Sequence, residues 1–129
     1  MRRFVFIISA TMKKNFLFVC SANKQRSKTA EDYFSSIHLM LNFQSAGTNI
    51  KLCEKEGTNP ISEEMLIWAD VIFVMENKHS KFITEKMANK YRSKIIVLSI
   101  EDRYKYYQRE LIYILTSKTS QFFKETTGN

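Results

Sequence analysis

Four short apolar runs indicate the strands of the fold. They cover residues 16–19, 42–44, 71–75 and 95–98. All but the second are continuously apolar rather than alternating, which is typical of strands buried on both faces of a parallel sheet.

The segments between these runs carry apolar residues at helical spacing. Helical faces are predicted within residues 27–41, 61–69, 78–91 and 111–122; the first comprises Ala30, Tyr33, Phe34, Ile37 and Leu41. Strands that alternate with helices predict βαβ units around a mostly parallel sheet. Because such sheets bind ligands beyond the carboxyl ends of their strands, site residues should follow positions 19, 44, 75 and 99.

Composition narrows the function classes. The chain has 129 residues, a length typical of one domain, and a formal net charge of +7, which favours anionic partners such as phosphate groups. The basic residues are scattered and no nucleic-acid motif accompanies them, so we expect no nucleic-acid partner. Two isolated histidines and two cysteines show no metal-ligand spacing, so we expect neither a metal nor another cofactor.

Residues 1–11 combine a basic start with a short apolar run. The pattern is faintly similar to an export signal, but a cleavage site would lie almost against the first strand. We expect a dispensable extension here, a single domain over residues 12–129, and a cytoplasmic location. No stretch approaches the length of a membrane span, so we expect no membrane partner.

The segment after the first strand carries the clearest chemistry. Cys20 ends the apolar run, and Arg26 and Ser27 stand where the next helix should begin. The residues between them are Ser21, Ala22, Asn23, Lys24 and Gln25. A loop of this length can curl so that backbone N–H groups and the helix N-terminus surround an anion.

Each end of this loop has a chemical role in that interpretation. The guanidinium of Arg26 can bind two phosphate oxygens at once. Helix N-termini and cations favour the thiolate form of a cysteine, so we expect Cys20 to attack phosphorus, with Ser27 stabilising the sulfur. A cysteine at a strand end is often only a core residue; the polar loop and the following helix favour the catalytic interpretation.

On this loop the sequence resembles the low-molecular-weight protein tyrosine phosphatases, most closely a compact bacterial branch. Counterparts of two further family segments lie at residues 45–48 and 68–76. The resemblance implies a three-layer, doubly wound sheet of four parallel strands in the order 2-1-3-4, flanked by helices, the flavodoxin-like phosphotyrosine phosphatase I fold. It also implies that Asn23 shapes the loop, that Ser45 supports it, and that His79 joins the polar network behind it.

The family carries its general acid in an Asp-Pro-aromatic motif after the fourth strand. Asp102 aligns with the acid and Tyr104 with the aromatic residue, while Arg103 replaces the proline. The resemblance therefore implies Asp102 as the proton donor, and Glu101 beside it is the alternative. Tyr104 and Tyr106 are the candidates for the walls of an aryl pocket.

Two departures from the family lie inside the loop. Ala22 stands where the family often has glycine, so a positive φ at this position would be harder to adopt. Gln25 stands where many members have a second cysteine that protects the nucleophile as a disulfide.

These residues predict a cysteine-dependent phosphomonoester hydrolase that acts on a phosphorylated protein, above all on phosphotyrosine, or on a small aryl phosphate. One alternative is a module that binds phosphorylated partners without turnover, if the altered Asp102 loop delivers no proton. The other is a thiol-dependent arsenate reductase, which shares the implied fold but needs two more cysteines, and only Cys53 is available. The oligomeric state stays open.

Overall fold

The computed structural model describes residues 13–124, so the expected extension at residues 1–11 lies outside the described residues. Four strands in this range form one sheet with the order β2-β1-β3-β4. They are β1 (Asn15–Cys20), β2 (Asn42–Gly47), β3 (Val71–Val74) and β4 (Ile95–Val97). All three neighbouring pairs are parallel, which confirms the predicted topology.

Helices connect and cover these strands. They are α1 (Arg26–Ile37), α2 (Ile50–Glu56), α3 (Glu63–Trp68), α4 (Asn77–Lys81) and α5 (Arg109–Thr119). A π-helical turn (Phe82–Met87) follows α4, and 3₁₀ turns lie at Asn89–Lys94 and Ser120–Phe123. In the part of the chain described, none of these helices has the length and apolar character that crossing a membrane requires.

Successive residues of β1 point to opposite faces of the sheet and enter two separate cores. Phe16 and Phe18 lie in one core, which α1, α5 and the last 3₁₀ turn cover. Leu17 and Val19 lie in the other, which α3 and the π-helical turn cover. The strand is continuously apolar because both of its faces are buried, and the helices on the two faces give the predicted three layers.

Two predicted helices were wrong in extent. α1 ends at Ile37 rather than continuing to Leu41, and Ile37 is 48% exposed because the chain turns there toward β2. The segment 78–91 is not one helix: its α-helical turns widen into the π-helical turn, and extended Ala88 (φ −166°) then starts the 3₁₀ turn.

The carboxyl ends of β1, β2 and β3 are joined by backbone hydrogen bonds beyond the strands. Thr48 N donates to Cys20 O at 2.9 Å, and Met75 N donates to Val19 O at 2.9 Å. Ile100 N donates to Met75 O at 2.8 Å, which brings the segment after β4 to the same edge. This edge therefore holds the candidate site residues that the sequence placed after the strands.

Candidate active site

The thiol of Cys20 faces a hydroxyl group from the first turn of α1. Cys20 ends β1 and is 3% exposed, and its Sγ lies 3.0 Å from Ser27 Oγ. The Ser27 oxygen already accepts a 2.8 Å hydrogen bond from Asn23 Nδ2. The hydroxyl hydrogen of Ser27 is therefore available to the sulfur, where it would stabilise negative charge.

Asn23 holds the loop in shape from within. Its φ of 54° is left-handed, a region that asparagine tolerates better than most residues. Its amide nitrogen donates to Ser27 Oγ and Ser45 Oγ, both at 2.8 Å, and its Oδ1 accepts from Asn59 N at 3.0 Å. Ala22 does not need the positive φ that would favour glycine, because the left-handed turn falls one residue later.

The hydrogen-bond network continues behind the loop. Ser45 Oγ donates to Glu31 Oε1 at 2.5 Å, and Asn59 Nδ2 donates to Ser45 O at 2.8 Å. Glu31 and Asn59 were missed by the sequence interpretation because nothing in their local pattern reports partners 14 to 36 residues away.

The outer side of the loop is closely packed. Thr58 Oγ1 donates to Ala22 O at 2.6 Å, and Cys53 Sγ lies 3.5 Å from the same oxygen. A Cβ added to Gly47 would lie 2.4 Å from Cys53 Sγ and 2.5 Å from Ser21 O. The loop can approach β2 this closely only because position 47 has no side chain.

Arg26 is buried and held by groups from two other elements. It is 2% exposed; its Nη1 donates to the Glu76 carboxylate and, at 2.7 Å, to Ile100 O. Its Nε lies 3.8 Å from Asp102 Oδ1. Burial alone would raise the pKa of Glu76, but the hydrogen bond and charge of Arg26 outweigh it, so that pKa is lowered from its usual 4.5.

His79 links Glu76 to the loop. It is 1% exposed; its Nδ1 accepts from Glu76 N, and its Nε2 lies 3.0 Å from Ser21 Oγ. Because Nδ1 is an acceptor, the neutral ring carries its proton on Nε2 and donates it to Ser21. Burial, followed by the charge of Arg26, lowers the pKa of His79 to about 4, which keeps the ring neutral at neutral pH.

A cavity of about 390 Å³ opens above the loop. Loop residues 20–22 and 24–26, Leu52 of α2 and residues 102–105 line it. Asp102 thus shares a cavity wall with Cys20 and Arg26. Glu101 does not line this cavity; it lines a neighbouring one together with Asp102 and pairs with Arg103 at 3.3 Å, so of the two carboxylates only Asp102 shares the cavity with Cys20.

Of the two tyrosines predicted to form a pocket wall, the structure brings only Tyr104 to the cavity. Tyr104 is 6% exposed and lines it. Tyr106 does not: its hydroxyl donates to Asp32 Oδ2 of α1 at 2.5 Å, a bond that raises the pKa of Tyr106 to about 12. That hydrogen bond holds Tyr106 against α1 and away from the loop.

Within residues 13–124, no set of three or more His, Cys, Asp or Glu side chains is arranged to hold a metal ion.

Neither protein-family models nor curated protein sequences give a match to this chain. Solved structures do. The tyrosine phosphatase Wzb from Escherichia coli, in complex with phosphate, is 20% identical with a TM-score of 0.69, over 86% of this chain and 96% of that one. The low-molecular-weight protein tyrosine phosphatase from T. tengcongensis is 21% identical with a TM-score of 0.63, over 84% and 98%.

A third similar structure is the YwlE arginine phosphatase from Geobacillus stearothermophilus. It is 17% identical with a TM-score of 0.57, over 84% of this chain and 86% of that one. The three structures are matched over 86–98% of their own length, with TM-scores of 0.57–0.69. This chain therefore has the fold of the low-molecular-weight tyrosine phosphatases.

Proposed function

We propose that this chain hydrolyses phosphomonoesters, above all phosphotyrosine in proteins, through a phosphocysteine intermediate on Cys20. One observation carries the proposal: the Cys20 thiol, the Arg26 guanidinium and the Asp102 carboxyl group line one cavity. This set supplies a nucleophile, a phosphate clamp and a proton donor, the three groups that cysteine-based phosphoryl transfer needs.

In the first step, the Cys20 thiolate attacks phosphorus. The sulfur–phosphorus bond forms while the bond from phosphorus to the phenolic oxygen breaks, and Asp102 gives its proton to that oxygen. Nη1 of Arg26 is occupied by Glu76 and Ile100 O, which orients the guanidinium and leaves Nη2 for the phosphate oxygens; Nε, 3.8 Å from Asp102 Oδ1, joins it once Asp102 turns to the leaving group.

In the second step, water attacks the phosphocysteine. Asp102, now a carboxylate, accepts a proton from the water, and the sulfur leaves as a thiolate. The hydroxyl of Ser27, 3.0 Å from the sulfur, stabilises the departing thiolate. The products are inorganic phosphate and the starting form of the site.

Two further features support the phosphotyrosine assignment. The buried ring of Tyr104 on the cavity wall provides an apolar surface for an aryl leaving group. Two of the structures with this fold are described as tyrosine phosphatases. We place the activity in residues 12–129 and in the cytoplasm, because the mechanism needs a thiol that stays reduced.

The proposal is tested by steady-state kinetics on phosphotyrosine and on a simple aryl phosphate. Cys20→Ser should abolish turnover while phosphate still raises the melting temperature, which shows that the site is folded. Asp102→Asn should lower kcat on phosphotyrosine by about 10²–10⁴-fold. Glu101→Gln is the matched control and should change kcat less than about twofold, since Glu101 does not line the cavity.

Full activity in Cys20→Ser would refute the proposal. A loss in Glu101→Gln equal to that in Asp102→Asn would overturn the assignment of the acid.

A further inference from the structure

The lining of the cavity is strongly basic. Lys24, Arg103 and Lys105 line it together with Arg26, and Asp102 is the one carboxylate among the described residues of its wall. Arg26 and Asp102 have roles in the proposed reaction. The other three cations have none, although they approach the cavity from two sides: Lys24 from residues 20–27, the phosphate loop, and Arg103 and Lys105 from residues 101–105, the acid loop.

Two of these cations are held in place by contacts outside the cavity. Lys24 Nζ lies 3.0 Å from Glu56 Oε1 of α2. The guanidinium of Arg103 lies 4.6 Å from the centre of the Tyr104 ring, and its Nε is 3.3 Å from Glu101 Oε1. Both ion pairs are exposed to solvent, where such pairs are weak. A carboxylate from a substrate can therefore take the place of Glu56 or Glu101 at little cost.

We propose that Lys24, Arg103 and Lys105 select phosphotyrosine sites flanked by acidic residues. The inference rests on the proposed function and names the substrate class of the same site. Once the phosphotyrosine is in the cavity, the residues on either side of it pass within reach of these cations. When those residues are acidic, their attraction to the three cations strengthens peptide binding and raises the rate of encounter. A phosphoarginine substrate should be disfavoured, because its own guanidinium would lie beside the same cations.

The experiment measures kcat/KM for phosphotyrosine peptides of one length with flanking Asp, Gln or Lys residues. The variants are Lys24→Gln, Arg103→Gln, Lys105→Gln and the triple substitution. Lys90→Gln is the matched control, since Lys90 is also an exposed lysine paired with a glutamate, Glu63, but does not line the cavity.

The wild-type chain should favour the Asp-flanked over the Lys-flanked peptide by about tenfold or more at low salt. Each single substitution should lower that ratio by roughly two- to fivefold, the range expected for one exposed charge pair, and the triple substitution should bring it close to one. Raised salt should reduce the wild-type ratio by screening. Lys90→Gln should leave the ratio unchanged, and a phosphoarginine peptide should be the poorest substrate.

Turnover of an aryl phosphate without flanking residues distinguishes failure of the charge selection from failure of the proposed function. If the aryl phosphate is hydrolysed but flanking charge has no effect, or if the triple variant keeps the preference, the charge selection is wrong and the proposed function stands. Faster turnover of phosphoarginine than of phosphotyrosine also refutes the selection. If the aryl phosphate is not hydrolysed, the proposed function fails and the selection falls with it.

Discussion

Arg26 is among the largest fully buried side chains of the described chain, and its position depends on residues far away in sequence. Glu76 follows β3 and Ile100 follows β4, yet both hold the same guanidinium nitrogen. A buried cation that loses its carboxylate partner is costly, because the remaining charge is neither hydrated nor paired. Replacing Glu76 should therefore change both the free energy of unfolding and the binding of phosphate by Arg26.

We predict that Glu76→Gln lowers kcat/KM on an aryl phosphate by about tenfold and destabilises the fold by about 1–3 kcal/mol. The amide keeps the shape of the side chain but removes the charge that fixes Arg26. Steady-state kinetics and urea unfolding measure the two effects. Glu101→Gln is the control, because Glu101 is 77% exposed and pairs with Arg103 instead; equal behaviour of the two variants would contradict the role of Glu76.

His79 should make stability depend on pH. Burial first, then the charge of Arg26, lowers its pKa from 6.5 to about 4, so the unfolded chain binds a proton at a pH where the folded chain does not. Stability should therefore fall as the pH drops from 6.5 toward about 4, by about 1–2 kcal/mol over the upper part of that window. Urea unfolding at several pH values should show this slope, and His79→Gln should remove it; an unchanged slope would refute the explanation.

At the element scale, the phosphate loop and β2 touch without a side chain between them. Gly47 makes this contact possible, because its missing Cβ leaves room for Cys53 Sγ and Ser21 O. A larger residue would have to push the backbone of the loop, because Ser21 O cannot rotate away as the end of a flexible side chain could. The geometry of the loop is thus coupled to a residue that belongs to a neighbouring strand.

We predict that Gly47→Ala lowers kcat/KM on an aryl phosphate by at least about tenfold, because displacing the loop moves Cys20 relative to Arg26. Gly57→Ala is the matched control. Gly57 has a φ of 74° but no atom within 4 Å of an added Cβ, so its substitution should cost about 1 kcal/mol of backbone strain without affecting catalysis. Similar losses of activity in both variants would contradict the close-approach argument.

The elements that sequence patterns predicted well are those whose burial is continuous. Residues 16–19 and 71–75 stand out as strands because both faces of the sheet are covered there, whereas residues 95–98 form an edge strand that is only partly buried, with Val97 38% exposed, and were predicted from their apolar run alone. α2 was not predicted, since its seven residues are mostly polar and only Cys53 is buried. The break at Ala88 was not predicted either, because Phe82, Ile83 and Met87 continue the helical spacing while the backbone changes from π-helical to extended.

At the scale of the whole molecule, the sheet order explains why the site could be only partly predicted. Residues 20–27 are contiguous, so their spacing in the sequence already indicates an anion-binding loop. Asn59 and Glu76 meet the loop, and Glu31 meets Ser45 of β2, only because β1 lies between β2 and β3. The sequence around such polar residues does not reveal their distant partners. It also does not reveal that a hydrogen bond to Asp32 holds Tyr106 away from the cavity.

The central claim concerns which atom takes the phosphoryl group. Asp102→Asn slows both protonation of the leaving group and attack by water, so acid quenching of that variant during turnover of phosphotyrosine should trap a phosphoenzyme. Mass spectrometry of the digested protein should place a single phosphoryl group on Cys20. A phosphoryl group on any other residue of the wild-type loop, or product release with Cys20 never modified, would contradict the account.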